Sequence, residues 1–443
     1  MADENETTYR FDTKRIHSSY DPRSHQDAVT IPIYQTTAFD FETAERANRI
    51  VHYEELGNVY TRIGNPTVDL LGQRVADLDG GTAGVAVGSG MAAVTYALAA
   101  LTNIGDHIVV SPFVYGGTYD SFGKTLGRLG VSVDVAKRPT PEDIEASITD
   151  KTKAVFIESI SNPIVYVSDI EGIAKVAHAH GIPLVVDNSL ATPYLIKPIE
   201  FGADVVVYSA TKGLSGHGNI IAGIIVESGK FNYANGKFPQ FSDDALYLLR
   251  DRQGRNRTIL EVFPTAPIFA HILLSELPYL GAALGPFDAY LALTGLDTLS
   301  ERIKKQSATA EKIVDYLSHH EFVDFVNYPT LPENENYTIA QRITPKAGGT
   351  ILSFGLKGTR AQQISFIDAT KVFSYLANIG DVRSLIVDSA YVTHAELDDQ
   401  EREEALIPSN LIRLSIGLED PSDLIEDLDQ AFAASFGKRA DRQ

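Results

Sequence analysis

The residues best suited to covalent chemistry lie in one run, Ala203-Asp-Val-Val-Val-Tyr-Ser-Ala-Thr-Lys-Gly213. Val205, Val206 and Val207 form an apolar, β-branched stretch that reads as a buried strand. The strand breaks into a small polar turn that presents Ser209, Thr211 and Lys212 together. A lysine just past a buried strand is poorly hydrated, so its amine can be neutral and nucleophilic toward an aldehyde. The two hydroxyls beside it can hydrogen-bond a phosphate. An aldehyde-capturing lysine beside phosphate donors points to pyridoxal 5′-phosphate held as a Schiff base. A solvated lysine in a surface turn fits the same residues, so the choice rests on what the rest of the chain brings to this turn.

Gly84 to Leu101 reads as strand, Gly88-Ser-Gly90 turn and helix. Glycines there let the backbone approach a ligand, and the unpaired first amides of a helix attract an anion. The segment from Gly80 to Gly105 has no charged residue, but its glycines divide it into a buried strand–turn–helix unit rather than a membrane span. Asp187 ends the apolar run from Ile182, where a carboxylate is costly unless paired. A protonated pyridine nitrogen would pair with it; a turn-capping aspartate is the alternative. Tyr115, in Val114-Tyr-Gly-Gly-Thr118, offers a ring face for stacking. Tyr60 and Arg62, before the Gly-Asn-Pro turn, offer a phenol and a guanidinium to a phosphate. Arg413 sits inside the apolar run Leu411-Ile-Arg-Leu-Ser415 and calls for a carboxylate, from an amino-acid substrate or a structural salt bridge. His217 and His394 receive no role.

Elements must hold these groups together. Runs at 107–111, 153–158, 182–188 and 203–209 read as strands, and a helix at about 170–180 separates two of them. Alternation of this kind predicts a mainly parallel α/β sheet, with ligands beyond the carboxyl ends of its strands. Tyr115, Glu158, Asn162, Asp187 and Lys212 all follow strand ends and can converge. Residues 1–66 read as an extended arm that packs elsewhere or on another subunit, 67–285 as the cofactor domain and 286–443 as a second domain. The polar stretch from Phe231 to about Thr258 reads as an excursion from the sheet, and the acidic tract 396–404 as a solvated helix face.

The 443 residues carry a net charge of −20, which disfavours nucleic acid or an anionic membrane as partner, so an anionic ligand needs a local positive pocket. There is no cysteine, which excludes disulfides, thiolate metal sites and cysteine nucleophiles. Met1 to Thr8 is polar and acidic, without the apolar core of a secretory signal, and a cytoplasmic location is expected.

Taken together, Tyr60-Thr-Arg62 with Gly-Asn-Pro-Thr, Gly88-Ser-Gly-Met91, Tyr115-Gly-Gly, Glu158-Ser159 with Ser161-Asn-Pro163, Val186-Asp-Asn188, Ser209-Ala-Thr-Lys212 and Arg413-Leu-Ser resemble the Cys/Met-metabolism family of pyridoxal-phosphate enzymes. The resemblance runs from about residue 24 to 436. It implies the fold type I transferase architecture, with a mainly parallel seven-stranded sheet and a smaller α/β C-terminal domain. It also implies that Lys212 carries the cofactor and later moves protons, that Asp187 pairs with the pyridine nitrogen and that Tyr115 stacks on the ring. Gly90, Met91, Ser209 and Thr211 would hold the phosphate, joined by Tyr60 and Arg62 of a neighbouring subunit in a homotetramer of two active-site dimers. Arg413, Ser353 and Asn162 would receive the substrate carboxylate, and no metal is implied. Within the family the chain is most similar to the O-acetylhomoserine sulfhydrylase branch, through Gly229-Lys-Phe231, Leu376-Ala-Asn-Ile-Gly-Asp381 and Ile412-Arg-Leu-Ser-Ile-Gly-Leu-Glu-Asp420. That branch replaces the γ-substituent of an O-acylhomoserine with sulfide or a thiol. Cystathionine γ-synthase and γ-lyase activities on the same scaffold are the alternatives, and Gly116 stands where methionine γ-lyases carry cysteine. Asp388-Ser-Ala-Tyr-Val-Thr-His394 and Asn219 depart from the branch's usual residues, near the lysine or substrate side.

Overall fold

The computed structural model describes residues 9–121, 126–243, 249–395, 397, 398, 400, 402 and 405–437. Most of the acidic tract 396–404 lies outside the described residues. Seven strands form the large sheet: β1 (Ala83–Val87), β2 (His107–Val110), β3 (Ser132–Val135), β4 (Thr152–Glu158), β5 (Leu184–Asp187), β6 (Val205–Ser209) and β7 (Gly223–Glu227). Their order is β1-β7-β6-β5-β4-β2-β3, and all pairs are parallel except those of β7, which runs antiparallel to β1 and β6.

Both faces of this sheet are covered except at its edge strand β3, so the inner strands are apolar on both sides while Ser132, Asp134 and Val135 of β3 are exposed. Along β6, Val205 and Val207 enter one core while Val206 and Tyr208 enter the other. The polar excursion after Phe231 is anchored through aromatics. Tyr233, Phe238 and Phe241 are buried in one of these cores, and Phe231 meets Tyr233 at 4.7 Å between ring centroids. Its average composition hides a small aromatic core.

The second sheet contains β8 (Val323–Asn327), β9 (Ile351–Leu356), β10 (Ser374–Tyr375), β11 (Leu385–Asp388) and β12 (Leu411–Ser415), in the order β10-β11-β12-β9-β8. The helix Pro286–Leu296 and the start of the helix Leu299–Ser318 pack with the large-sheet core, whereas Ala310, Ile313 and Leu317 enter the core of the small sheet. The long helix therefore joins the two cores. Near the N-terminus, the helix Phe11–His17 is docked on its own chain, with Arg15 paired to Glu301 at 2.6 Å and Phe11 against Tyr194.

A buried polar chain ties three strand ends together. Ser159 Oγ donates to Asn188 Oδ1 (2.6 Å), Asn188 Nδ2 donates to Tyr208 Oη (3.0 Å), and Tyr208 Oη donates to Asp79 Oδ2 (2.8 Å). All four are buried, only Asp79 Oδ1 lacks a partner among the described residues, and buried networks of this kind favour one arrangement. Ser159, Asn188 and Tyr208 adjoin Glu158, Asp187 and Ser209, so the network fixes the ends of β4, β5 and β6 relative to one another.

Candidate active site

Beyond those strand ends lies a cavity of about 580 Å³, walled on the far side by the small sheet and the segment after β10. Gly90, Met91, Tyr115, Asn162, Asp187, Ser209, Thr211, Lys212 and Arg413 all line it. A cavity of about 750 Å³ elsewhere, bordered by Phe325, Glu335 and Ile407, holds none of these groups.

Lys212 follows β6 in the turn that the sequence places after a buried strand. Burial, and then the charge of Arg413, lower its amine to about 8. Its Nζ donates to Asn378 Oδ1 at 2.6 Å. At pH 7.5 such an amine is about one-quarter neutral, against about one part in a thousand for an ordinary lysine, so the site makes a usable nucleophile and base.

Asp187 ends β5 in register with Glu158, which ends β4. Burial pushes the Asp187 carboxyl up, while hydrogen bonds from Ser189 hold it down, including the Ser189 main-chain N–H to Oδ1 at 2.9 Å. Glu158 is pushed well up by burial and then by Asp187. Its Oε1 accepts the Tyr115 N–H at 2.6 Å.

The phosphate side is a helix N-terminus. Ser89 caps the helix Gly90–Leu101 by accepting the Ala92 N–H at 3.0 Å, and no acidic residue stands in the first turn to compete with an anion. Gly90 packs against Ser209; a Cβ there would sit 2.6 Å from Ser209 Cβ, so only glycine lets the turn and the helix start close on one another. Thr211 Oγ1 accepts the Ala222 N–H at 3.0 Å and lies 3.3 Å from Ala222 O.

Arg413 reaches the cavity from β12. Its two terminal nitrogens donate to Asn162 Oδ1 (2.8 Å) and to the Asn378 carbonyl (3.0 Å), while its buried Nε has no partner among the described residues. No carboxylate among the described residues lies within ion-pair distance of it; its partners there are the two oxygens just named. Burial lowers the guanidinium to about 10. Behind it, burial and then the charge of Arg413 hold the buried His394 down at about 4.

Three candidates lie off this wall. Ser353 is fully buried opposite Arg413 in the β9–β12 register, where Asn327 Nδ2 donates to its Oγ at 3.2 Å; the longer arginine reaches the cavity and the serine does not. Tyr60 and Arg62 are exposed on the arm, with the guanidinium 5.0 Å from the Tyr60 ring centroid. Asn378, Glu158 and Ser189 are the contacts for which sequence reading assigned no site role. Asn378 sits in an aperiodic loop between β10 and β11, inside the run 376–381 that carries part of the resemblance, where nothing local gives the asparagine a role.

A family model for Cys/Met metabolism PLP-dependent enzymes matches residues 12–433. The chain belongs to this family. It is 40% identical over 438 residues to the O-acetyl-L-homoserine sulfhydrylase of Corynebacterium glutamicum, covering 97% of this chain and 98% of that one. It is 38% identical to the homocysteine synthase of Schizosaccharomyces pombe, over 95% of this chain and 97% of the relative. Among solved structures, a putative O-acetylhomoserine (thiol)-lyase from Campylobacter jejuni superposes with a TM-score of 0.90 at 37% identity, covering 96% of this chain and 99% of that one. That structure carries N′-pyridoxyl-lysine-5′-monophosphate.

The cofactor of this PLP-dependent enzyme is pyridoxal phosphate, and the residues present fit it. The Gly90 cradle and helix amides suit its phosphate, Asp187 suits its pyridine nitrogen, and the lowered amine of Lys212 suits its aldehyde. When bound, it supplies an electron sink that makes a proton beside an amino group removable.

Proposed function

We propose that this chain catalyses γ-replacement on O-acetyl-L-homoserine: sulfide or methanethiol forms the Cγ–S bond, the Cγ–O bond breaks, and homocysteine or methionine leaves with acetate. The observation that carries the reading is that Lys212 and Arg413 meet on one residue, Asn378. An amine able to take a proton from Cα thereby stands beside a guanidinium able to hold the α-carboxylate. Asn162, already hydrogen-bonded to Arg413, borders the same carboxylate position. The neutral fraction of Lys212 takes the Cα proton at Nζ and returns protons farther along the side chain. Tyr115 covers the site from the cavity mouth and Asp187 stays charged toward the pyridine nitrogen. The full-length similarity to O-acetyl-L-homoserine sulfhydrylases supports the choice of ester and acceptor.

We further infer a homotetramer of active-site dimers working in the cytoplasm, in which Tyr60 and Arg62 of a neighbouring subunit complete the phosphate site. Their exposure on the arm supports this assembly. The extended-arm, cofactor-domain and C-terminal-domain division at 66 and 285 belongs to the same reading. No helix among the described residues is long and apolar enough to cross a membrane.

The deciding experiment incubates purified protein with O-acetyl-L-homoserine and sulfide and measures homocysteine, acetate and 2-oxobutyrate. Equal homocysteine and acetate support the reading. Predominant 2-oxobutyrate would replace it with elimination.

A further inference from the structure

Two carboxylates end neighbouring strands at the cavity, and the mechanism uses only one of them. Glu158 is 5% exposed and in register with Asp187. Its Oε1 accepts the Tyr115 main-chain N–H at 2.6 Å. Its Oε2 is buried without a partner among the described residues. No lysine, arginine or histidine there lies within ion-pair distance: Lys212 is engaged by Asn378, and Arg413 by Asn162 and Asn378. The titratable and charged groups around this cavity are thus Asp187, Tyr115, Lys212 and Arg413.

We propose that Glu158 is a positioning residue that works as a neutral carboxylic acid, clamping the Tyr115 main chain so that its ring stands on the cavity wall. Two buried carboxylates side by side do not both ionise cheaply. Asp187 has the Ser189 N–H and, on the function proposed above, a cationic ring nitrogen, so the charge belongs there and the proton belongs to Glu158. Burial and the Asp187 charge both push the Glu158 carboxyl up. One oxygen then accepts, and the partnerless Oε2 carries the hydrogen. The clamp joins the end of β4 to the loop after β2 that carries Tyr115, two segments that sequence keeps apart.

The chain contains no tryptophan, so Tyr115→Trp installs a single reporter on the clamped loop. The apoprotein is compared as Tyr115→Trp alone, with Glu158→Gln and with Glu158→Leu, reading emission maximum and acrylamide quenching. Glutamine keeps the accepting oxygen and the neutral state; leucine keeps only volume. The clamp predicts an unchanged reporter with glutamine, and with leucine a red-shifted one quenched about twofold faster, as expected for a loop that loses its anchor. In holoenzyme with Tyr115 intact, Glu158→Gln should hold kcat within about threefold with the same pH profile, and Glu158→Leu should lose about 10- to 100-fold, the scale of a misplaced positioning contact. A reporter displaced equally by glutamine would overturn the neutral acid, and one unmoved by leucine would overturn the clamp. If far-UV circular dichroism shows the leucine variant unfolded, Glu158→Met supplies the same apolar arm. The apoprotein reporter needs no turnover, so it tests the clamp even where the sulfhydrylase reading fails.

Discussion

Replacing Arg413 with methionine tests the carboxylate anchor and the lysine together. Methionine keeps much of the apolar volume but removes the charge, and with it the donors now held by Asn162 Oδ1 and the Asn378 carbonyl. A buried, charge-assisted contact to a carboxylate contributes about 3 kcal/mol, roughly a 150-fold rise in KM for the amino-acid substrate at 1.36 kcal/mol per tenfold. The sign of the second effect follows from Coulomb's law. The charge of Arg413 is the second cause, after burial, that lowers Lys212 to about 8, so its removal raises the amine. The assay for the first effect is initial rate against O-acetyl-L-homoserine at fixed sulfide. For the second, apoenzyme captures added pyridoxal phosphate at a series of pH values, and the midpoint of the rate profile reports the amine. Wild type should turn near pH 8 and the variant higher. A KM within threefold of wild type would refute the anchor, and an unmoved midpoint would refute the electrostatic link.

Lys212→Ala should abolish the visible absorbance of the bound cofactor together with turnover; an unchanged spectrum would remove Lys212 from its role. Asn378→Ala deletes the oxygen that receives Lys212 Nζ but leaves the carbonyl that holds Arg413, so kcat should fall about tenfold while KM moves little, as separate kinetic constants will show. Gly90→Ala drives a Cβ to 2.6 Å from Ser209 Cβ, and the forced separation should cost about 1–3 kcal/mol in cofactor binding, read by equilibrium titration. Burial raises Asp79 to about 7, so the folded state keeps a proton that the unfolded chain releases near its usual 3.8. Stability therefore falls as pH rises between those values, by up to about 4 kcal/mol. Asp79→Asn should flatten that slope, raising Tm at pH 8 but not at pH 4; parallel melting profiles would contradict it.

What the sequence reveals of this molecule follows from what burial costs. Asp187, Lys212 and Arg413 stand out by eye because a charge at the end of, or inside, an apolar run is expensive, and each proves to line the cavity. The Gly88-Ser-Gly90 turn stands out because glycine between strand and helix implies close approach, which Ser209 supplies. The inner strands of the parallel sheet are legible as local apolar runs, whereas the exposed edge strand β3, with Ser132 and Asp134, is not. The antiparallel insertion of β7 between β1 and β6 is not, because direction is set by pairing and leaves no mark within the strand. The aromatic anchor after Phe231 is hidden by the polar residues between its rings.

The site shows the same division more sharply. Asn378 carries no charge, follows no period and costs little wherever it sits, yet it joins the amine to the guanidinium. Ser189 is equally silent, although its N–H steadies the Asp187 carboxylate. Glu158 is the instructive middle case: its type marks it as costly to bury, but only the register with Asp187 shows which of the two carboxyls can keep its charge. Sequence thus exposes the groups that pay for burial with chemistry. The neutral groups that aim them become visible only when the strand ends and the segment after β10 are brought together.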